Sequence, residues 1–254
     1  MRYMRKVHTI FDISAVEDDR SSVKRHLEEF LCSGYSHQIA TVNPEFLLEA
    51  RKNPLFFAIL KECELLVPDG VGMHLWFWLQ GKCMQQRIPG ADLIEDIFDV
   101  ASKMRLTVFL AVKKGGLSSF HEVKNVISKR YPNLNVFGAD IDISSDFDVY
   151  NVPLSLSQAA IVLCNFGAPE QEIFIFRIKG GTMRIGIGVG GSFDYLTGKI
   201  PRAPKFMRSC GIEWMWRLYI QPSRWRRIGR VVLWFPLVAL FDCVVHNMKR
   251  TNKD

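Results

Sequence analysis

Asp69 is the residue best placed to act as a general base. It follows the short strand-like stretch 64–67 in the block Leu-Leu-Val-Pro-Asp-Gly. A carboxylate at the bottom of an apolar cleft can take the proton of a sugar hydroxyl. An ordinary Asp-Gly turn explains the same residues. Other polar groups fall at comparable places. Asn43 ends a strand-like run, His-Gln-Ile-Ala-Thr-Val, and precedes Pro44. It either caps a helix or offers its amide to a base or a sugar hydroxyl. Gln171 follows Gly167-Ala168-Pro169-Glu170 just past another apolar run, and Asp194 follows the glycines that end the run 183–189. For Gln171 the plainer reading is a solvated first helical turn. Arg87, in Arg-Ile-Pro-Gly-Ala-Asp, is either a solvated charge or a bidentate partner for a pyrophosphate, ahead of a helix capped near Asp92. Lys113-Lys114-Gly115-Gly116 is either a tight turn or a place where backbone N–H groups approach phosphate.

Several chemistries find little support. Asp140-Ile141-Asp142 matches the D-x-D pattern that holds Mg²⁺ or Mn²⁺ in many nucleotide-sugar transferases. It lies in an acidic stretch with Asp146 and Asp148, where a solvated loop is the simpler reading. The six histidines show no HExxH or other ligand spacing, so no zinc site is expected. There is no G-x-S-x-G block, which leaves serine hydrolase chemistry unsupported. The six cysteines are scattered singly, several in apolar runs, as reduced thiols of a cytoplasmic protein would be. The N-terminal segment meets Asp12 and Glu17 before any long apolar stretch, so no secretory signal is expected.

The positive charge is concentrated in the tail. From Lys199 onward there are 12 Lys and Arg against 3 acids, a net +9; the whole chain is +7, so residues 1–198 carry −2. Such a local excess suits a polyanion or an anionic membrane face. The same segment holds Trp214, Trp216, Trp225 and Trp234 and the apolar run 231–241, eleven residues interrupted by Pro236. A spanning helix needs roughly 20 residues. The run can lie on a membrane or dock on protein. Arg217, Arg224 and Arg227 are seven and three apart, which would give them one helical face if Pro222 only bends the segment.

The elements that must position these groups follow from hydropathy. Strands are expected over residues 37–42, 64–67, 106–112, 133–137, 159–165 and 183–189, with helices between them. Apolar strands alternating with helices predict an α/β fold: a Rossmann-like, mostly parallel sheet with helices on both faces, plus a helical C-terminal appendage. Ligands of such sheets bind beyond the carboxyl ends of the strands, where Asn43, Asp69, Gln171 and Asp194 fall. At 254 residues the chain divides into an expected core, 1–198, and an appendage, 199–254.

Six blocks in order carry a family resemblance: TVNPEFLLEA, LLVPDGVGM, QRIPGADL, NFGAPEQE, GVGGSFDYLTGKIPRAP and GIEWMWRLYIQPSRWRR. Together they resemble the WecG/TagA/CpsF family of bacterial glycosyltransferases over roughly residues 38–235. The resemblance implies inverting transfer of a sugar from a UDP-sugar to a polyprenyl-diphosphate-linked saccharide in surface-polysaccharide synthesis. The sugar would be of the N-acetylmannosamine, N-acetylmannosaminuronic acid or glucuronic acid type. It implies no metal and no cofactor, and a C-terminal appendage that completes the site at the inner face of the membrane. Residue by residue, Asp69 matches the catalytic base, and Thr41 and Asn43 the first pocket motif. Gln171 matches the amide of the G-x-P-x-Q-E block, and Arg217, Arg224 and Arg227 the diphosphate-facing arginines. The chain departs from the family at the acidic stretch 140–148, where a Gly-Tyr pair is common.

Two other readings compete. One is a metal-dependent nucleotide-sugar transferase of another fold using Asp140 and Asp142. The other is a non-enzymatic basic protein that binds nucleic acid through its tail. The expected partners are a UDP-sugar, the lipid-linked acceptor and the anionic membrane surface, with no nucleic acid. The oligomeric state is left open, a homo-oligomer included.

Overall fold

The computed structural model describes residues 7–10, 13–16, 18–79, 81, 87–143 and 153–251; of residues 7–10, 14 and 244–251 it describes the backbone only. The chain opens on an antiparallel pair that the hydropathy reading did not expect: β1 (Val7–Ile10) and β2 (Ile13–Val16). Then come α1 (Arg20–Cys32), β3 (His37–Val42), α2 (Pro44–Ala50), α3 (Pro54–Glu62), β4 (Leu65–Pro68), α4 (Val71–Leu79) and α5 (Gly90–Lys103). The alternation continues with β5 (Thr107–Lys113), α6 (Phe120–Arg130), β6 (Asn135–Ile141), β7 (Ile161–Cys164), α7 (Glu170–Ile178), β8 (Ile185–Gly188) and α8 (Ser192–Leu196). The tail is helical: α9 (Lys205–Ser209), α10 (Glu213–Ile220), α11 (Trp225–Gly229), a π-helical turn over Arg230–Trp234, and α12 (Phe235–Thr251).

β3 to β8 form one sheet in the order β4-β3-β8-β7-β5-β6, with every pairing parallel. The runs of β3, β4, β5, β7 and β8 are nearly continuous apolar stretches because both of their faces are covered. β6 is the exception. It lies at the edge, and its exposure alternates, so its apolar signal is weak and it sits two residues later than expected, running on to Ile141. The other boundaries differ from the expected strands by a residue or two.

Local chemistry starts the helices. Asn43 and Asn53 cap α2 and α3, each followed by proline in the first turn, and Ser119 and Glu122 form a capping box on α6. The expected cap at Asp92 is corrected: Pro89 is the N-cap of α5, and Asp92 lies in its first turn. Asp92 there pairs with Arg202 of the tail, while Asp96, buried on α5, holds Arg20 of α1 at 2.7 Å and 3.1 Å.

Side chains of one sheet face, among them Ile39, Val67, Leu110, Leu163 and Ile187, pack under α1, α5, α6 and α8. On the other face Ala40, Val42 and Leu66 meet Phe46, Phe56, Met73, Trp76 and Phe77, while Val162 and Cys164 meet Phe174 and Ile175 of α7. Phe235, Val238 and Ala239 of α12 belong to this second core. Burying a side chain as large as Phe235, which is 1% exposed, stabilises by roughly 1.5–3 kcal/mol. Among the described residues no helix is long and apolar enough to cross a membrane.

Candidate active site

Past the carboxyl ends of β3 and β4 the tail folds over the sheet and encloses a cavity of about 340 Å³. Its floor comes from the core: Asn43, Pro44, Asp69 and Gly70. Its far wall comes from the tail: Glu213, Arg217, Arg224 and Arg227. Glu45 and Arg87 also line it, and Leu75, Trp214, Ile228, Val231, Val232 and Phe235 give it an apolar side. Gly72 allows α4 to pack closely here, because a Cβ there would come within 2.3 Å of the Pro44 ring and 3.3 Å of the Phe235 ring of the tail.

Asp69 follows β4 directly. Its backbone N–H donates to the Val42 carbonyl at 2.7 Å, continuing the parallel ladder, and Gly70 then turns with φ +91°. The strand end and the glycine aim the carboxylate into the cavity. Burial raises its pKa above the ordinary carboxylate range, against the opposing pull of Arg87 and Arg217. A carboxylate with raised basicity in a cleft is suited to proton abstraction.

Arg87 approaches Asp69 without gripping it. Its Nε is 4.0 Å from Asp69 Oδ1, whereas its Nη2 donates to Glu213 Oε2 at 2.8 Å. Glu213 opens α10, and its other oxygen accepts from Arg217 Nη2 at 3.1 Å. Arg217 also stands over the Tyr195 ring, 5.6 Å from its centroid. An acidic and basic chain therefore runs from the core into the tail: Asp69, Arg87, Glu213, Arg217.

The three tail arginines do converge on the cavity, but not along one helical face. α10 ends at Ile220, a 3₁₀ turn over Pro222–Arg224 redirects the chain, and α11 starts at Trp225. Pro222 reorients the segment because it cannot donate the next helical hydrogen bond. Tertiary folding brings Arg217 beside Arg224 and Arg227. Burial and the repulsion of Arg227 and Arg217 pull the pKa of Arg224 below its ordinary value. Arg227 is ion-paired with Glu45, while Arg224 has no carboxylate within ion-pair distance among the described residues. An unpaired guanidinium between two others is a ready anion site.

The remaining sequence candidates sit elsewhere or serve the frame. Asn43 lines the cavity and also caps α2, its Oδ1 accepting from the N–H groups of Glu45 and Phe46 at 2.9 Å and 3.1 Å. Thr41 is buried beneath, on the side facing Gly90 and Ser192. Gln171 is 2% exposed and does not reach the cavity. Its Oε1 accepts from the N–H groups of Gly167 and Gly190, both at 3.1 Å, and its Nε2 donates to Glu172 Oε1 at 2.7 Å. Glu172 is fully buried, with Oε2 unpartnered, and burial pushes its pKa up to about 8. Gly188 makes room for this pair: a Cβ there would stand 2.3 Å from both side chains. Asp194 accepts from the buried Ser118 hydroxyl at 2.8 Å and anchors the loop after β5 to α8. Asp140 accepts from the Phe120 N–H, and Asp142 faces Lys114 at 3.6 Å; neither lines the cavity. Asp146 and Asp148 lie outside the described residues.

Glu213 and Glu45 are site residues that arginine spacing does not reveal. One signal was available for Glu213: it is the sole acid between Lys199 and Arg230. Its burial beside Arg87 depends on the fold of the tail.

The sequence model of the glycosyl transferase WecG/TagA/CpsF family matches residues 8–250. The chain belongs to this glycosyltransferase family. It is similar to the N-acetylglucosaminyldiphosphoundecaprenol N-acetyl-beta-D-mannosaminyltransferase of Bacillus spizizenii strain W23, with 32% identity over 86% of this chain and 85% of the relative. The protein of the same name from Bacillus subtilis strain 168 is 30% identical over 88% of this chain and 87% of its own. The family match covers core and tail alike, so both walls of the cavity fall within it.

Proposed function

We propose that this glycosyltransferase moves a sugar from a UDP-sugar to a polyprenyl-diphosphate-linked saccharide, with inversion, in bacterial surface-polysaccharide synthesis. The sugar is of the N-acetylmannosamine type, the relatives' namesake; N-acetylmannosaminuronic and glucuronic acid are the other members of the donor panel. One observation carries the reading: a single cavity joins a carboxylate of raised basicity to a cluster of arginines, one of them, Arg224, without a carboxylate partner among the described residues. In this mechanism Asp69 takes the proton of the acceptor hydroxyl. That oxygen bonds to the anomeric carbon from the side opposite UDP, and the bond to UDP breaks with its electron pair on the diphosphate. Arg217 and Arg224 face diphosphate charge, a role that preorganised cations fill well in a partly dry site. The reading places the core at 1–198 and gives 199–254 two tasks, closing the site and meeting the membrane.

The membrane part rests on the outward face of the tail. Trp225, Leu233, Trp234, Leu237, Leu240 and Phe241 are between 51% and 73% exposed, beside Arg226 and Arg230. An apolar stripe beside cations suits the inner face of the cell membrane, where each basic residue near an anionic leaflet contributes about 1 kcal/mol.

The deciding experiment combines the full chain, a lipid-diphosphate-linked N-acetylglucosamine and a panel of UDP-sugars, with and without EDTA. Transfer from one UDP-sugar, with an inverted linkage and no loss in EDTA, is the expected result. Absence of transfer from every donor would overturn the reading.

A further inference from the structure

The chemistry just proposed needs a base that is near cationic groups yet not neutralised by them. An arginine that closed on Asp69 as a bidentate pair would hold the carboxylate in its charged, weakly basic form and occupy both its oxygens. Arg87 is within reach of doing so, at 4.0 Å. It is drawn the other way by Glu213, at 2.8 Å. Both residues are well buried, with side chains 14% and 12% exposed, so the contact is not a screened surface pair. Glu213 is held in turn by Arg217, and by its place in the first turn of α10, where negative charge is favoured.

We propose that Glu213 is a positioning residue of this glycosyltransferase: supplied by the tail, it holds Arg87 off Asp69 and so leaves the carboxylate open to the acceptor's proton. The inference rests on Asp69 being the base. Other charged groups surround Asp69. Arg217 approaches from α10, Glu45 from α2, and Arg224 and Arg227 from the far wall of the cavity, while His74 of α4 lies on the other side of Arg87. Among the described residues, Glu213 is the one hydrogen-bonded to Arg87, the arginine nearest the base. Its own negative charge acts on Asp69 in the same direction, favouring the protonated form. Losing Glu213 therefore removes two supports at once, the charge and the restraint on Arg87.

The test is the pH dependence of the single-turnover rate in Glu213→Gln and Glu213→Asp, with circular dichroism melts alongside. In Glu213→Gln the acidic limb of the profile should move down by about 1–2 pH units. Its plateau should fall by about 3–10-fold, because a less basic carboxylate removes a proton more slowly. Glu213→Asp keeps the charge and should keep the limb near its wild-type position. A merely structural role would lower melting temperature and rate in both variants without moving the limb. An unmoved limb in a folded, active Glu213→Gln overturns the proposal while leaving the transferase reading intact. Wild-type protein inactive on every UDP-sugar would overturn that reading, and this inference with it.

Discussion

Glu45, in the first turn of α2, is ion-paired with Arg227 of α11 across the cavity that both line. Core and tail are thereby tied at a further point, and Arg227 reaches the cavity already neutralised. Arg224, three residues earlier, has no such partner. The two arginines should therefore differ in what they contribute. Arg224→Ala is expected to raise the KM for a lipid-diphosphate acceptor by about ten-fold or more, the worth of one charge-assisted contact. Arg227→Ala should cost less, and Glu45→Gln should leave acceptor affinity unchanged or better. Initial-rate kinetics on the three variants check the order.

Asp69→Asn keeps the shape of the side chain and removes its basicity. Turnover should fall by about 10²–10⁴-fold, with the melting temperature retained, since the backbone N–H of Asp69 and not its carboxylate continues the sheet. Near-normal turnover would remove Asp69 from the role of base.

Glu172 predicts a pH dependence of stability. Its pKa is raised to about 8 in the folded chain, against 4.5 as the ordinary value. Between those limits the folded state holds a proton that the unfolded state has released. Stability from this group is therefore full below about pH 4.5 and is lost as pH rises towards 8, by at most about 1.4 kcal/mol per pH unit. Glu172→Gln should remove the slope. Denaturant melts should show the variant gaining on the parent steadily from pH 5 to pH 8, and parallel curves would contradict the assignment.

α12 has two apolar faces with different expected roles. Phe235→Ala empties a buried site shared with Met73, Trp76 and Phe77, and should destabilise by about 3–5 kcal/mol. Leu237→Glu with Phe241→Glu changes side chains 60% and 65% exposed. That pair should leave the melting temperature within about 2 °C and abolish pelleting with anionic vesicles. Retained pelleting would remove the outward face from the membrane contact.

The buried strands were legible because burial on both faces writes an uninterrupted apolar run, as in Ile-Val-Leu-Cys of β7. β6 was misplaced because an edge strand with Asn135 and Phe137 facing outward writes no such run. The place of Asp69 at a strand end and the charge of the tail were legible from residue type and position, while the choice of Arg217, Arg224 and Arg227 came from the family resemblance. The arrangement of those arginines was not legible: a helical-face argument assumes one continuous helix, and the turn at Pro222 breaks it. Gln171 was read as near the crevice because it follows a strand end. The two glycine N–H groups it satisfies, 4 residues before it and 19 after it, have no linear signature. Glu213 depended on a contact with Arg87 across 126 residues, which only the folded tail creates.

Gln171 has a consequence for motion. One carbonyl oxygen accepts from both Gly167 and Gly190, so the loops after β7 and β8 share a fastener beneath the ligand-facing end of the sheet. Glycines with φ of +89° and +49° in loops would ordinarily exchange their amide hydrogens quickly. Here both amides should be protected, because each is bonded to the same buried side-chain oxygen. The two loops are then coupled through one buried side chain, and Gln171→Ala should loosen both amides at once.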